Sequence, residues 1–240
     1  MATWVVGDVH GCYDEFQKLL KNRNIKKDDT IILVGDIIDR GPQQIEMLKW
    51  AMENITENGK YQMVLGNHED MVINKYHTCL NLLKCGEIEN DIAYLACKYR
   101  FEYELQDAGY KTFEEIKPII DWFENLPLYK EVMVNNKRHI IAHAWAWPNL
   151  RNTSRKTYLW FREVGDDFFD TITYDDENSV LIHGHTPTIF LPDYGISEEV
   201  AGKVFINKNG INIDCGLVYR TLNSNLAAIR LEDKKIIYLR

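Results

Sequence analysis

The sequence predicts an α/β fold built on a largely parallel sheet, and three observations carry that expectation. Short β-branched or apolar runs at Thr3–Val6, Thr30–Val34 and Gln62–Leu65 each stop at a glycine and a polar cluster. Between them lie stretches whose apolar residues recur at helical spacing, so strand, polar loop and helix alternate in the grammar of βαβ units. In such sheets ligands collect beyond the carboxyl ends of the strands, which is where the polar clusters fall.

Taken in order, Thr3–Val6 ends at Gly7-Asp8-Val9-His10-Gly11. Asp8 and His10 are two apart, so an extended segment sends both side chains to one face. A helix is expected over Asp14–Lys21, with Phe16, Leu19 and Leu20 on one side. Thr30–Val34 runs into Gly35-Asp36-Ile37-Ile38-Asp39-Arg40-Gly41, then a second helix over Pro42–Ile55 presents Ile45, Leu48 and Met52. Gln62–Leu65 leads to Gly66-Asn67-His68-Glu69, placing Asn67 at the end of a third strand. From about residue 70 to 128 the pattern is helical, including Phe113–Leu126 with Ile116, Ile119, Ile120 and Phe123. This stretch reads as an insertion covering one side of the site, whose first role is packing. Strands return at Glu131–Val134 and His139–Ala142, joined by Asn135-Asn136-Lys137-Arg138 as a hairpin turn. More follow at Val180–Ile182, Val204–Ile206, Ile211–Asp214, Leu226–Leu231 and Ile236–Leu239, and no linker interrupts the 240 residues, so one domain is expected over 1–240.

Composition narrows the function classes. At 45% apolar and 27% charged the chain is an ordinary globular sequence, and no apolar run approaches the ~20 residues needed to cross a bilayer. A net charge of −8 disfavours a general polyanion-binding surface, so no nucleic-acid polymer is expected as partner. A small phosphorylated substrate is still allowed, because local cations reverse the field inside one cleft. Cys12, Cys79, Cys85, Cys97 and Cys215 include no Cys-x-x-Cys pair, and the start of the chain runs directly into a strand. Both features fit reduced thiols and a cytoplasmic location.

The polar clusters supply the chemistry. Besides Asp8, His10, Asp36 and Asn67, His143 follows Ile140-Ile141-Ala142, and His183-Gly184-His185 follows Val180-Leu181-Ile182. Singly, Asp8 could cap a helix, His143 could be a hydrogen-bonded core imidazole and Asn67 could sit in a turn. Together, at five strand ends, carboxylate, imidazole and amide donors point to two divalent cations. Asp36 is the candidate bridge: Asp8, His10 and Asp36 would take one cation, and Asp36, Asn67, His143 and His185 the other. His68 beside Asn67 is the candidate general acid, oriented by Asp39, and Arg40 offers a planar fork for phosphate oxygens. His183 and Asp214 are expected to support the ligands, Asp214 as a hydrogen-bond acceptor. No Cys-x5-Arg loop is present, so a thiol nucleophile is not expected.

The residue set Asp8, His10, Asp36, Asp39, Arg40, Asn67, His68, Glu69, His143 and Gly184-His185-Thr186-Pro187 resembles the phosphoprotein phosphatase branch of the calcineurin-like metallophosphoesterases, most of all the small bacterial and phage-type serine/threonine phosphatases. Pro187 stands where the wider superfamily often has a further histidine, as in that branch. The resemblance implies a four-layer α/β/β/α sandwich of two mixed sheets flanked by helices, with a helical insertion. It implies attack by a hydroxide bridging two divalent metals, Mn²⁺ being favoured by the oxygen-rich ligation and Fe, Zn, Ni or Mg remaining possible. It gives His68 and Asp39 the acid and orienting roles, and makes Arg162, in Leu159-Trp160-Phe161-Arg162-Glu163, the second phosphate-binding arginine beside Arg40 and Asn67. The implied substrate is a phosphorylated protein or a small phosphoester, with protein serine/threonine phosphatase as the favoured activity and hydrolysis of dinucleoside polyphosphates as the alternative. Ala144-Trp145-Ala146-Trp147 replaces a glycine of the family after His143, and its two indoles are expected to pack.

Overall fold

A computed structural model describes residues 1–95, 100–162, 179–207 and 210–240; Cys97 and Glu163 lie outside them. The chain forms two five-stranded sheets flanked by helices, the predicted four-layer sandwich. The first sheet runs β10-β9-β1-β2-β3, from β1 (Thr3–Val6), β2 (Thr30–Leu33), β3 (Tyr61–Met63), β9 (Leu226–Arg230) and β10 (Ile236–Leu239). The second runs β4-β5-β6-β8-β7, from β4 (Tyr129–Val134), β5 (Lys137–Ala142), β6 (Ser179–His183), β7 (Phe205–Ile206) and β8 (Gly210–Asn212). The sheets are mixed rather than largely parallel. Strands β1, β2 and β3 pair in parallel, as do β5, β6 and β8, while β9, β10, β4 and β7 join them antiparallel. The strands that lead into the polar clusters are the parallel ones, which explains why sequence grammar pointed to a parallel sheet.

Side-chain alternation builds both cores at once. In β1, Val5 faces the inter-sheet core while Trp4 and Val6 face the helices; in β2, Ile32 divides from Ile31 and Leu33 in the same way. From the second sheet Ile141, Ile182 and Ile211 meet Val5 and Ile32. A strand buried on both faces cannot slip by one residue without exchanging its two cores, so register is tightly held.

Helices α1 (Tyr13–Leu20) and α2 (Gln44–Asn54) are the predicted crossovers. The insertion holds α3 (Asn67–Lys84), α4 (Arg100–Asp107) and α5 (Phe113–Glu124), followed after β5 by α6 (Arg155–Trp160). Its helices feed Phe101, Phe113, Ile116, Ile120 and Phe123 into the main core, as the packing role requires. The β4–β5 hairpin turns on only two residues, Asn135 and Asn136 (φ 51° and 60°), a tighter turn than the four-residue one predicted. Among the described residues no helix is long and apolar enough to cross a membrane, and Cys12, Cys79, Cys85 and Cys215 are free thiols.

Candidate metal centre

The six expected ligand residues, Asp8, His10, Asp36, Asn67, His143 and His185, converge beyond the carboxyl ends of β1, β2, β3, β5 and β6, and all six are buried. Asn67 differs in detail from expectation. It is the first residue of α3, because β3 ends at Met63 and the chain then turns through Gly66.

Asp36 stands at the middle. Its Oδ2 lies 3.5 Å from His143 Nε2, 3.6 Å from His10 Nε2 and 3.8 Å from His68 Nε2, spacings long for hydrogen bonds. Two groups, Asp8–Asp36–His143 and His10–Asp36–His68, each place one donor atom per residue within 4.8 Å of one another. Asp36 is common to both, as a bridging carboxylate must be. Distance groups Asp8 with His143 and His10 with His68, not Asp8 with His10 as expected; Asp39 holds the other nitrogen of the His68 ring.

The donor set fits cations on chemical grounds. His10 Nδ1 donates to the Ile38 carbonyl at 2.8 Å, and His143 Nδ1 donates to the Val34 carbonyl at 2.9 Å. Each neutral ring therefore presents the Nε2 lone pair inward, the usual way a metal-binding imidazole is oriented. For His143 that lone pair faces Asn67 Oδ1 at 2.7 Å, while His185 Nδ1 approaches the same oxygen at 2.9 Å. His185 Nε2 is buried with no hydrogen-bond partner. The Asn67 oxygen and two imidazole nitrogens thus converge on one buried point, as ligands of a common cation would.

Electrostatics agree. Burial, then the charges of Asp214 and Asp36, push the Asp8 pKa well up. Burial and Asp36 likewise raise Asp214 to about 6. Asp36 itself is held low: burial opposes its ionisation, but His143, His68 and His10 outweigh burial. Burial drives His10 down to about 3 against the pull of Asp36, and burial with His143 and Arg162 drives His185 to about 2. One carboxylate held ionised, two held up by burial and like charge, and two imidazoles kept neutral suit cation ligation better than internal ion pairing.

Around this centre lie the residues expected to act as acid and phosphate clamp. His68 Nδ1 meets Asp39 Oδ2 at 2.5 Å. Burial lowers the His68 pKa, yet Asp36 and Asp39 together raise it above the ordinary histidine value, so the ring is disposed to hold a proton. Arg40 Nη1 lies 3.1 Å from His10 Nε2, and Arg162 Nη1 donates to the His185 carbonyl at 3.0 Å. Both guanidinium groups act on Asp214, so the structure brings both arginines to one cleft. Trp145 is buried against Trp147, Phe161 and His183, so those indoles pack as expected. Asp214 accepts from the Gly216 N–H at 3.0 Å. The Cys12 thiol is pushed up to about 11 by burial and Glu15, and Cys215 is raised further by burial, which leaves neither disposed to act as a nucleophile.

Three features escaped sequence reasoning. His10, Asp36, Asp39, Arg40 and His185 all have positive φ, between 45° and 70°, a costly conformation for residues with a Cβ. Glu69 clamps the strained loop: its oxygens accept the N–H groups of Asp36 (3.0 Å), Ile37 (2.9 Å) and Gly66 (3.1 Å). Its place in Asn67-His68-Glu69 was the available signal. The insertion also reaches the site, since the Phe101 N–H donates to Asp39 Oδ1 at 3.3 Å. Gln44 accepts the Asp39 N–H at 2.8 Å and donates to Glu104 at 2.8 Å.

Residues 1–214 match the model of the family described as calcineurin-like phosphoesterase. The chain belongs to that family. The likeness expected from its motifs is thereby borne out. The asymmetrical bis(5'-nucleosyl)-tetraphosphatase PrpE of Oceanobacillus iheyensis is 26% identical over 97% of this chain and 90% of its own length. A symmetrical bis(5'-nucleosyl)-tetraphosphatase of Buchnera aphidicola is 30% identical over 62% of this chain and 45% of its own. The chain thus spans less than half of that relative and nearly all of the other. Among solved structures, a protein serine/threonine phosphatase from Saccharomyces cerevisiae superposes with a TM-score of 0.60 at 16% identity, covering 99% of this chain and 78% of the other. That likeness concerns the fold.

Proposed function

We propose that this calcineurin-like phosphoesterase is a dinuclear-metal hydrolase of dinucleoside polyphosphates. The reading moves the emphasis from the protein serine/threonine phosphatase favoured by the motifs to their alternative. What carries it is the pairing of an Asp36-centred donor cluster, flanked by two arginines, with near full-length similarity to a relative named as a bis(5'-nucleosyl)-tetraphosphatase.

Asp8, His10 and Asp36 would hold one divalent cation, and Asp36, Asn67, His143 and His185 the other, with Mn²⁺ favoured by the mixed oxygen and nitrogen donors. Bound there, two such ions would activate water and neutralise charge on the phosphoryl oxygens. Arg40 and Arg162 would orient the phosphate chain through their planar forks. His68, held by Asp39, would deliver a proton to the departing oxygen, and Glu69 keeps the Asp36 loop in its strained shape.

A second reading, a serine/threonine phosphomonoesterase, is favoured by the His68–Asp39 pair itself. A departing serine alkoxide needs that proton far more than a departing nucleotide phosphate does. Turnover by Mn²⁺-loaded protein of diadenosine tetraphosphate, a phosphoserine peptide and glycerol phosphate separates the two. The tetraphosphate should give the highest kcat/KM, and a clear preference for the phosphopeptide would overturn the proposal.

A further inference from the structure

Beside each arginine of the cleft stands an aromatic side chain that the fold leaves in water. Tyr219 is 39% exposed; its hydroxyl lies 3.4 Å from Arg40 Nη1, and Arg40 Cζ sits 5.8 Å from its ring centroid. Phe190, 36% exposed, braces that ring edge-to-face at 4.8 Å. On the other flank Trp160 is 40% exposed. It closes α6 two residues before Arg162, and its ring stands nearly perpendicular to His185 at 6.2 Å. The indoles singled out by sequence, Trp145 and Trp147, are engaged in packing; Trp160 is the one that reaches the rim.

Large rings left in water beside charged groups, when the core had room for their buried neighbours, suit a ligand with a flat apolar part joined to an anionic part. We propose that Tyr219, braced by Phe190, and Trp160 are two nucleobase platforms, one on the Arg40 side of the metal centre and one on the Arg162 side. A nucleotide whose phosphate lies on either arginine has its base within reach of the adjoining ring. A dinucleoside polyphosphate lying across Asp36 places one base on each. A phosphoserine peptide has no such pair of planar groups. The inference rests on the proposed function and names how its substrate is chosen.

Calorimetric titration of the Mn²⁺-loaded protein with AMP and with orthophosphate tests it. Orthophosphate reads the cations and arginines alone, so the ratio of the two affinities within one variant isolates the base. Wild type should bind AMP about tenfold tighter than orthophosphate or more. Trp160→Ala combined with Tyr219→Ala should bring the ratio close to one. Trp160→Phe with Tyr219→Phe, which keeps both rings, should restore most of it. A wild-type ratio of one, or a ratio unchanged in the double alanine variant, overturns the platforms. Hydrolysis of diadenosine tetraphosphate, followed separately, judges the parent proposal. Its absence together with a ring-dependent ratio would sink the tetraphosphatase reading and leave the platforms standing; hydrolysis with an unchanged ratio would do the reverse.

Discussion

Helix α5 and the loops that carry the candidate ligands obey opposite rules. In α5, Thr112 accepts the Glu115 N–H while Glu115 reaches back to the Thr112 N–H, a complete capping box. Phe113, Ile116, Ile119, Ile120 and Phe123 form one buried stripe, and only Pro118 departs from helical preference. The loops of the candidate ligands invert each part of that description: five non-glycine residues at positive φ, polar atoms converging in the interior, and buried carboxylates beside one another. Local agreement marks the part of the chain that stabilises the fold, and local conflict marks the part that acts. Substitutions in the two regions should therefore fail in opposite ways.

The largest effect is expected at Asp36. Asp36→Asn keeps the Oδ1 acceptor for the His68 N–H but removes the charge shared by both donor groups. Turnover by Mn²⁺-supplemented protein should fall by about 10³-fold or more. Because its histidine neighbours hold Asp36 ionised, the metal-free variant should also lose some stability, but far less in proportion than it loses in turnover. A variant that unfolds more easily while keeping its activity would erase the contrast. Phe123→Ala should show the mirror image. Its ring is fully buried in the main core, so the cost should be about 3–5 kcal/mol of stability. Chemical denaturation measures it, and kcat per folded molecule should stay close to wild type.

The same contrast explains what the sequence disclosed. The residues that converge at the candidate centre were legible because each follows an apolar run and breaks its pattern, as Asp36 does after Ile31-Ile32-Leu33-Val34. The α5 stripe was legible because its periodicity and cap agree. Backbone strain at His10 or Asp39 was not, because nothing in a residue's type announces a positive φ that tertiary contacts impose. The position of Asn67 as the start of α3 was missed for a related reason: the short β3 ends early, and a Gly-Asn turn reads alike before a helix or after a strand. Arg162 could be placed only by resemblance, since an isolated arginine carries no pattern; its contact to the His185 carbonyl is what brings it to the cleft.

A finer test within the site concerns His68. His68→Asn removes the expected proton donor while leaving the six expected metal ligands in place. Loss of the acid should slow a serine phosphoester by about 100-fold. Diadenosine tetraphosphate, whose departing phosphate is a better leaving group, should slow by clearly less. Equal losses on both substrates would mean that His68 positions the substrate and donates no proton.

The smallest effect separates the regions by pH alone. Burial and the Asp36 charge raise Glu69 to about 8, and Asp8 and His68 are raised as well. A group whose pKa is higher in the folded state contributes stability at low pH and loses it as pH climbs through the folded value. Between pH 6.5 and 8 the unfolded chain has already given up the Glu69 and Asp8 protons and is losing that of His68, whereas the metal-free folded site still holds some of them. Metal-free protein should therefore lose stability over that window, by up to about 2 kcal/mol per raised group. Bound cations would supply the positive charge that these carboxylates otherwise take from protons. Added Mn²⁺ should accordingly raise the melting temperature more at pH 8 than at pH 6.5. Phe123→Ala, acting outside the site, should shift both melting curves down without changing their pH dependence. Thermal melts of metal-free protein that are flat or rising across this interval would show that the buried acids of the ligand loops are ionised without metal.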